Sequence, residues 1–245
     1  GFSMLSFGFG HWIGRIPETK HLLHLSESDI GLCFFGMASG AFLGAQMASG
    51  ICEKWKPSLV ISVSCWLLSL GIMLIPFAKN QWMLTSILFF MGAANSWLNV
   101  SINAAASQME TKLNTPILAT CHGMYSLGGF LGIISSGIFA TAQIPLTIHL
   151  PIIGIFMAIY VTIINWNNIF VYFLNGISKI KLQLYSSVLI ALINFPISYL
   201  LIKYSPYGIN SVVIGNCLSL LICSIWAPIQ CYKIITGKAF GIWNK

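Results

Sequence analysis

Apolar residues run through this chain in long blocks rather than in alternation. A helix needs about 20 predominantly apolar residues to cross hydrocarbon at 1.5 Å rise each. Eight windows approach that requirement, at roughly 2–14, 30–50, 57–77, 82–107, 116–141, 151–174, 184–203 and 209–231, the first of them short. Polar or helix-breaking signals bound them: Arg15-Ile-Pro17, Lys54-Trp-Lys56-Pro57, Lys79-Asn80, Asn114-Thr-Pro116 and Ser205-Pro206. Strands of a membrane barrel would alternate over about 10 residues. These blocks are longer and do not alternate. The pattern predicts an all-α, polytopic transmembrane bundle of about eight spans, each satisfying its own backbone bonds as hydrocarbon demands.

Within the windows, polar and small residues are placed at helical spacing. Ser26-Glu-Ser-Asp29 fits a capping box ahead of the second span. Inside that span Gly36, Gly40 and Gly44 recur every four residues and Ala48 continues the row, a stripe that lets a second helix approach closely in lipid. In the fourth span Asn95, Asn99 and Asn103 sit at i, i+4 and i+8 on one face. An amide facing lipid would lose its hydrogen bonds at a cost of a few kcal/mol, so that face meets protein or a wet cavity. Interhelical bonding and a solute-facing polar stripe both fit. Asn99-Val-Ser101 matches a glycosylation sequon, but a membrane-embedded site is unreachable. The fifth span opens with His122 and Tyr125. His122 is the leading titratable candidate near the membrane interior, with His11 and His149 behind it; proton relay, solute binding and packing all fit it. Gly128, Gly129 and Gly132 again mark close packing. Farther on, Asn165, Asn167 and Asn168 surround Trp166 inside an apolar run that stops at Asn175-Gly176. They read as a polar lining or as an interfacial anchor. Pro196 is expected to interrupt and kink the seventh window, and Pro228 to do the same in the eighth.

Composition places these helices in a bilayer. Apolar residues make up 57% of the 245, charged residues 7%, and mean hydropathy is +0.84. A soluble domain carries roughly 25% charge. All five acids lie in connections or at helix ends, and none follows Glu110. With the 51–57 loop cytoplasmic, that side receives Lys54, Lys56, Lys112, Lys179, Lys181, Lys233, Lys238 and Lys245, eight of the 12 basic residues. The other side keeps Arg15, Lys20, Lys79 and Lys203. The positive-inside bias then makes the C-terminus cytoplasmic, and the net charge of +7 faces anionic lipid. No basic cluster suits nucleic acid. The seven cysteines, among them Cys33, Cys65, Cys217 and Cys223, stand singly, as small apolar side chains in packed helices. GFSMLSFGFGHWIG reads as the tail of a first helix whose beginning lies outside the sequence.

Two resemblances follow. Trp12-Ile-Gly-Arg15-Ile-Pro17, the capped LSESDIG, the small-residue second span, and NVSINAA followed by HGMYSLGGFLG together resemble the N-terminal half of a major facilitator superfamily transporter. The similarity is to its sugar (fucose-type) permease branch, over about residues 1–150. The family's loop between helices two and three normally carries an aspartate and arginines; Gly50-Ile-Cys-Glu53-Lys54-Trp-Lys56 keeps only the glycine and the charge pattern. From about Ile155, AIYVTIINWNNIFVYFLNGISKIKLQLYSS, ALINFPISYLL and PIQCYKIITGKAFGIWNK are similar to the last helices of polysaccharide (O-antigen-type) flippases. The division 1–150 and 151–245 follows, and the bundle is incomplete relative to a 12-helix transporter.

The resemblances imply transport. A facilitator half would offer Asn95, Asn99, Asn103, His122 and Tyr125 to a small polar solute such as a sugar. A flippase would take a lipid-linked oligosaccharide, and an inert hybrid of two truncated genes is the third reading. A pair of membrane-proximal carboxylates, H-E-x-x-H and G-x-S-x-G are missing from the sequence, so no enzyme activity, cofactor, metal or nucleic-acid partner is expected. The expected location is the bacterial inner membrane.

Overall fold

The computed structural model describes residues 2–114, 116–204 and 211–244. Among these the chain is helical, with no strand. The helices are α1 (Phe2–Ile13), α2 (Ile16–Leu22), α3 (Glu27–Lys54), α4 (Pro57–Leu74), α5 (Gln81–Leu113), α6 (Leu118–Thr141), α7 (Leu146–Gly176), α8 (Lys181–Tyr204) and α9 (Ser211–Ile235). A 3-10 turn, Ile75–Phe77, follows α4, and another, Gly241–Asn244, follows α9. Each of the eight apolar windows has its helix. Six helices among the described residues are long and apolar enough to cross a membrane. Thr115, Ser205-Pro206 and Lys245 lie outside the described residues, as do the side chains of Cys217 and Cys223.

Two features depart from the expected pattern. The connection after α1 folds as the short helix α2, opened by Pro17 in its first turn, where a missing N–H costs nothing. Neither proline ends its helix: α8 runs on through Pro196 and α9 through Pro228.

The capping box forms as spaced. Ser26 Oγ accepts from the Asp29 N–H while the Asp29 carboxylate accepts from the Ser26 N–H at 2.8 Å. Asn80 caps α5 by accepting from the Met83 N–H at 2.9 Å. The α5 helix ends with Asn114 in the left-handed region, φ 48°.

Chain packing divides the molecule into two compact units, residues 1–158 and 159–245. In the first unit α3 lies along α5, α1 along α6, and α4 against α5. The glycine row explains the α3–α5 pair. Gly36, Gly40, Gly44 and Ala48 are all buried, and a Cβ on Gly40 would stand 1.9 Å from the Phe89 carbonyl oxygen. From the facing side, a Cβ on Gly92 would stand 2.1 Å from the Met37 oxygen. Backbone meets backbone here, as small-residue stripes permit in lipid. Polar side chains tie the same seam: Ser96 Oγ donates to the Ala41 carbonyl at 2.6 Å, and Cys52 Sγ lies 3.3 Å from Ser101 Oγ. Against α1, α6 presents Gly128 and Gly132 in the same way.

In the second unit α8 packs on α9. The amide knot of α7 belongs here. Asn167 Nδ2 donates to Ser224 Oγ of α9 at 2.8 Å, and Trp166 is 52% exposed with its edge to Phe170. The 31 residues of α7 exceed the roughly 20 that a bilayer core requires. Counted from Leu146, the knot begins about 30 Å along the helix at 1.5 Å per residue. Within the knot, Asn167 serves interhelical bonding.

Candidate functional site

The helices of the first unit converge on one small cavity. Its wall takes Leu5 from α1, Met37 from α3, Leu68 from α4, Asn95 from α5, Tyr125 from α6 and Met157 from α7. Asn95 and Tyr125 are the polar side chains in an apolar lining. The enclosed volume is about 40 Å³, room for about three or four waters at roughly 10–15 Å³ each. A drug-sized ligand needs about 300 Å³ or more, so this arrangement is closed to such a solute.

Of the five residues singled out by sequence, the cavity unites Asn95 and Tyr125. Asn99 turns back on its own helix, its Nδ2 donating to the Asn95 carbonyl at 2.9 Å. Asn103 Oδ1 is enclosed by protein with no hydrogen-bond partner among the described residues. His122 is exposed near the start of α6, and its carbonyl accepts from Ser126 Oγ. The histidines thus rank opposite to expectation. His11 and His149 are the fully buried ones, at 0% exposure each. The reason is geometric: His122 sits one turn inside α6, whose start is held by the Glu110 carboxylate, while His11 and His149 face each other where α1, α6 and α7 meet.

That meeting point is a polar cluster with Arg15 at its centre. Arg15, expected as a boundary residue, is 3% exposed. Its Nη1 meets His149 Nδ1 at 2.9 Å, its Nη2 donates to the Ile144 carbonyl at 2.8 Å, and Nε pairs with the Glu18 carboxylate. His149 Nε2 in turn lies 2.8 Å from His11 Nδ1. Ser135 Oγ lies 2.9 Å from His11 Nε2, and Ser136 Oγ donates to the His11 carbonyl at 2.7 Å. Phe139 stacks on the His149 ring, 4.1 Å between centroids and 6° between planes. The spacing of His11 and Arg15, one turn apart on the α1 side, is the signal in the sequence. Nothing local points to His149, 138 residues from His11.

The second unit gathers cations and aromatic rings at the end of α9. Lys233 Nζ lies 3.7 Å above the Trp243 ring, and Lys179 Nζ donates to the Asn244 carbonyl at 2.7 Å. Gln230, 1% exposed, donates to the carbonyls of Lys179 and Trp243 and so fixes the terminal turn on the helix. Among the described residues no three His, Cys, Asp or Glu side chains converge as a metal site requires.

The chain is similar to curated membrane proteins over part of its length. It is 22% identical over 149 residues to an uncharacterized transporter of Sinorhizobium fredii, covering 61% of this chain and 40% of that protein. It is 24% identical over 131 residues to an uncharacterized MFS-type transporter of Yersinia pestis, covering 54% and 34%. The membrane protein MosC of Rhizobium meliloti is 30% identical over 128 residues, covering 52% and 31%. The aligned part thus spans 31–40% of the length of these relatives. No family model matches the chain, and no solved structure matches it. With six apolar helices and relatives named as transporters or membrane proteins, this is an integral membrane protein related to transporters.

Proposed function

We propose that this integral membrane protein carries a small polar solute, such as a sugar, by facilitator-type alternating access. One observation carries the reading: six helices wall a cavity whose polar groups are an amide and a phenol. Asn95 and Tyr125 hydrogen-bond the solute, and the closed cavity opens when the helices part. Binding at the meeting point of several helices, with the bundle rocking around it, is how such carriers work. Asn103 and His122 mark the polar route to that point. The protein lies in the bacterial inner membrane with its C-terminus cytoplasmic.

Uptake of labelled sugars into cells expressing the chain tests this. Asn95→Leu is expected to lower uptake about 10-fold or more, since a solute hydroxyl left unpaired costs roughly 1–3 kcal/mol. Asn99→Ala is expected to stay within about twofold, because its amide serves its own helix and surface-type changes cost little. Equal uptake by wild type and Asn95→Leu would end the reading.

A second reading, export of a lipid-linked oligosaccharide, is favoured by the lysine–tryptophan cluster of the second unit. Lys179 and Lys233 would meet a pyrophosphate, and the aromatic rings the sugar. It predicts saturable binding of an isoprenoid pyrophosphate sugar by the purified protein, weakened at least about fivefold by Lys233→Gln, as loss of one charge-assisted hydrogen bond implies. No binding in wild type would exclude it.

A further inference from the structure

The His11–His149 pair lies outside the cavity lining, and its proton positions follow from its partners. Arginine offers only N–H groups, so the contact of Arg15 Nη1 with His149 Nδ1 at 2.9 Å needs a lone pair on that nitrogen. The proton of the neutral His149 ring is then on Nε2, which donates to His11 Nδ1 at 2.8 Å. His11 carries its own proton on Nε2 and donates to Ser135 Oγ at 2.9 Å. The serine hydrogen goes to the Leu131 carbonyl at 2.7 Å. Every donor points one way, from the guanidinium to a carbonyl of α6, and every ring nitrogen is in use.

Both Nε2 atoms already bear hydrogen, and both Nδ1 atoms accept a hydrogen bond. The donor on His11 Nδ1 is the enclosed His149 ring, whereas the donor on His149 Nδ1 is Arg15, which has two other partners. An additional proton therefore goes to His149 Nδ1, where it sets donor against donor unless Arg15 withdraws. We infer that the His11–His149 pair is a one-proton binding site whose filling releases α7 from Arg15. The proton comes from water at that end of the bundle and bonds to His149 Nδ1. The contact that breaks is the Arg15 N–H to Nδ1 hydrogen bond. Arg15 keeps Glu18 and the Ile144 carbonyl, so the guanidinium is not stranded.

The charged groups nearest the pair are Arg15, which contacts His149, and Glu18, which pairs with Arg15. α6 presents Ser135, Ser136 and Phe139, and its titratable residues, Cys121, His122 and Tyr125, lie ten or more positions away in sequence. α7 has no charged or titratable residue besides His149 before Tyr160, and α4, packed beside α1, has only Cys65. The Phe139 face over His149 attracts a cation. Arg15 ties the α1–α2 turn to α7, and both α1 and α7 wall the cavity, so filling this site loosens two cavity walls at their shared end. The inference does not depend on what solute is carried.

Nitrogen NMR of the full chain in lipid nanodiscs with isotope-labelled histidine, assigned by sequential correlations, tests it alongside amide exchange. At neutral pH both rings are expected to carry hydrogen on Nε2. On acidification His149 alone is expected to become doubly protonated, in one step, while exchange across residues 144–149 rises about tenfold in that same step as the segment opens locally. His149→Gln offers an amide that accepts from Arg15 and donates to His11 but takes no proton. It is expected to keep neutral-pH exchange and lose the step. A ring protonated on Nδ1 at neutral pH would overturn the inference. So would double protonation of both histidines, no proton uptake before unfolding, or uptake that leaves exchange at 144–149 unchanged.

Discussion

Gly40→Leu is expected to remove the folded chain from the membrane fraction, and Gly40→Ala to lower its thermal midpoint in detergent markedly. The first added atom already meets backbone. A Cβ at residue 40 would stand 1.9, 2.7 and 3.0 Å from the oxygen, carbonyl carbon and Cα of Phe89. No rotamer relieves that contact, because the obstacle belongs to a helix and not to a side chain. α3 must move off α5, which stretches the Ser96–Ala41 and Cys52–Ser101 contacts together. Overpacking a core costs about 1–3 kcal/mol even where side chains can yield, and whole domains are stable by only about 5–15 kcal/mol. In lipid the separated faces are not driven back by water, since helix association there rests on packing itself. Gly50→Ala is the control: nothing lies within 4 Å of its Cβ position, and its midpoint should match wild type. Equal midpoints for Gly40→Ala and Gly50→Ala would show that α3 and α5 do not pack as described.

Arg15→Leu is expected to cost roughly 1–3 kcal/mol for each enclosed acceptor it leaves unpaired. The loss falls on His149 Nδ1 and the Ile144 carbonyl, which are enclosed, rather than on Glu18, whose side chain is 37% exposed and can be hydrated. Arg15→Lys keeps the charge but not the fork. One ammonium cannot reach a carboxylate, a ring nitrogen and a carbonyl in three directions as a planar guanidinium does, so roughly 1–3 kcal/mol is lost for the groups left unpaired. A double-mutant cycle with His149→Leu separates the terms. The double variant should be less destabilised than the sum of the singles by about 0.5–3 kcal/mol, as for residues in contact. Strict additivity would mean that Arg15 and His149 do not interact.

Both effects lie at places that differ in how openly the sequence announces them. The glycine row at 36, 40 and 44 is visible as a period of four, and the structure spends it on a close helix pair. The capping box at Ser26 and the eight apolar windows are equally local, and each has its counterpart in the fold. Arg15 is different. Next to Ile16-Pro17 it reads as a loop marker, because a charge beside a helix breaker is ordinarily in water. Burial came from partners at 144 and 149 that no window around residue 15 contains. The asparagine face shows the mixed case. Its shared direction was legible, but three identical side chains ended in three environments: a cavity wall, a bond to the helix's own backbone, and an enclosed oxygen without a partner among the described residues.

What the sequence by itself determined is the solvent and the elements: lipid, helices, their ends and the faces too small or too polar to meet hydrocarbon. Those properties depend on residues within one or two turns of each other, since a helix in a bilayer satisfies its own backbone whatever lies beside it. Only the tertiary structure decided which faces meet, and therefore which histidines are buried, which amide reaches the cavity and what holds Arg15. Such contacts join residues more than 100 positions apart, and their free energy depends on geometry that no local pattern encodes.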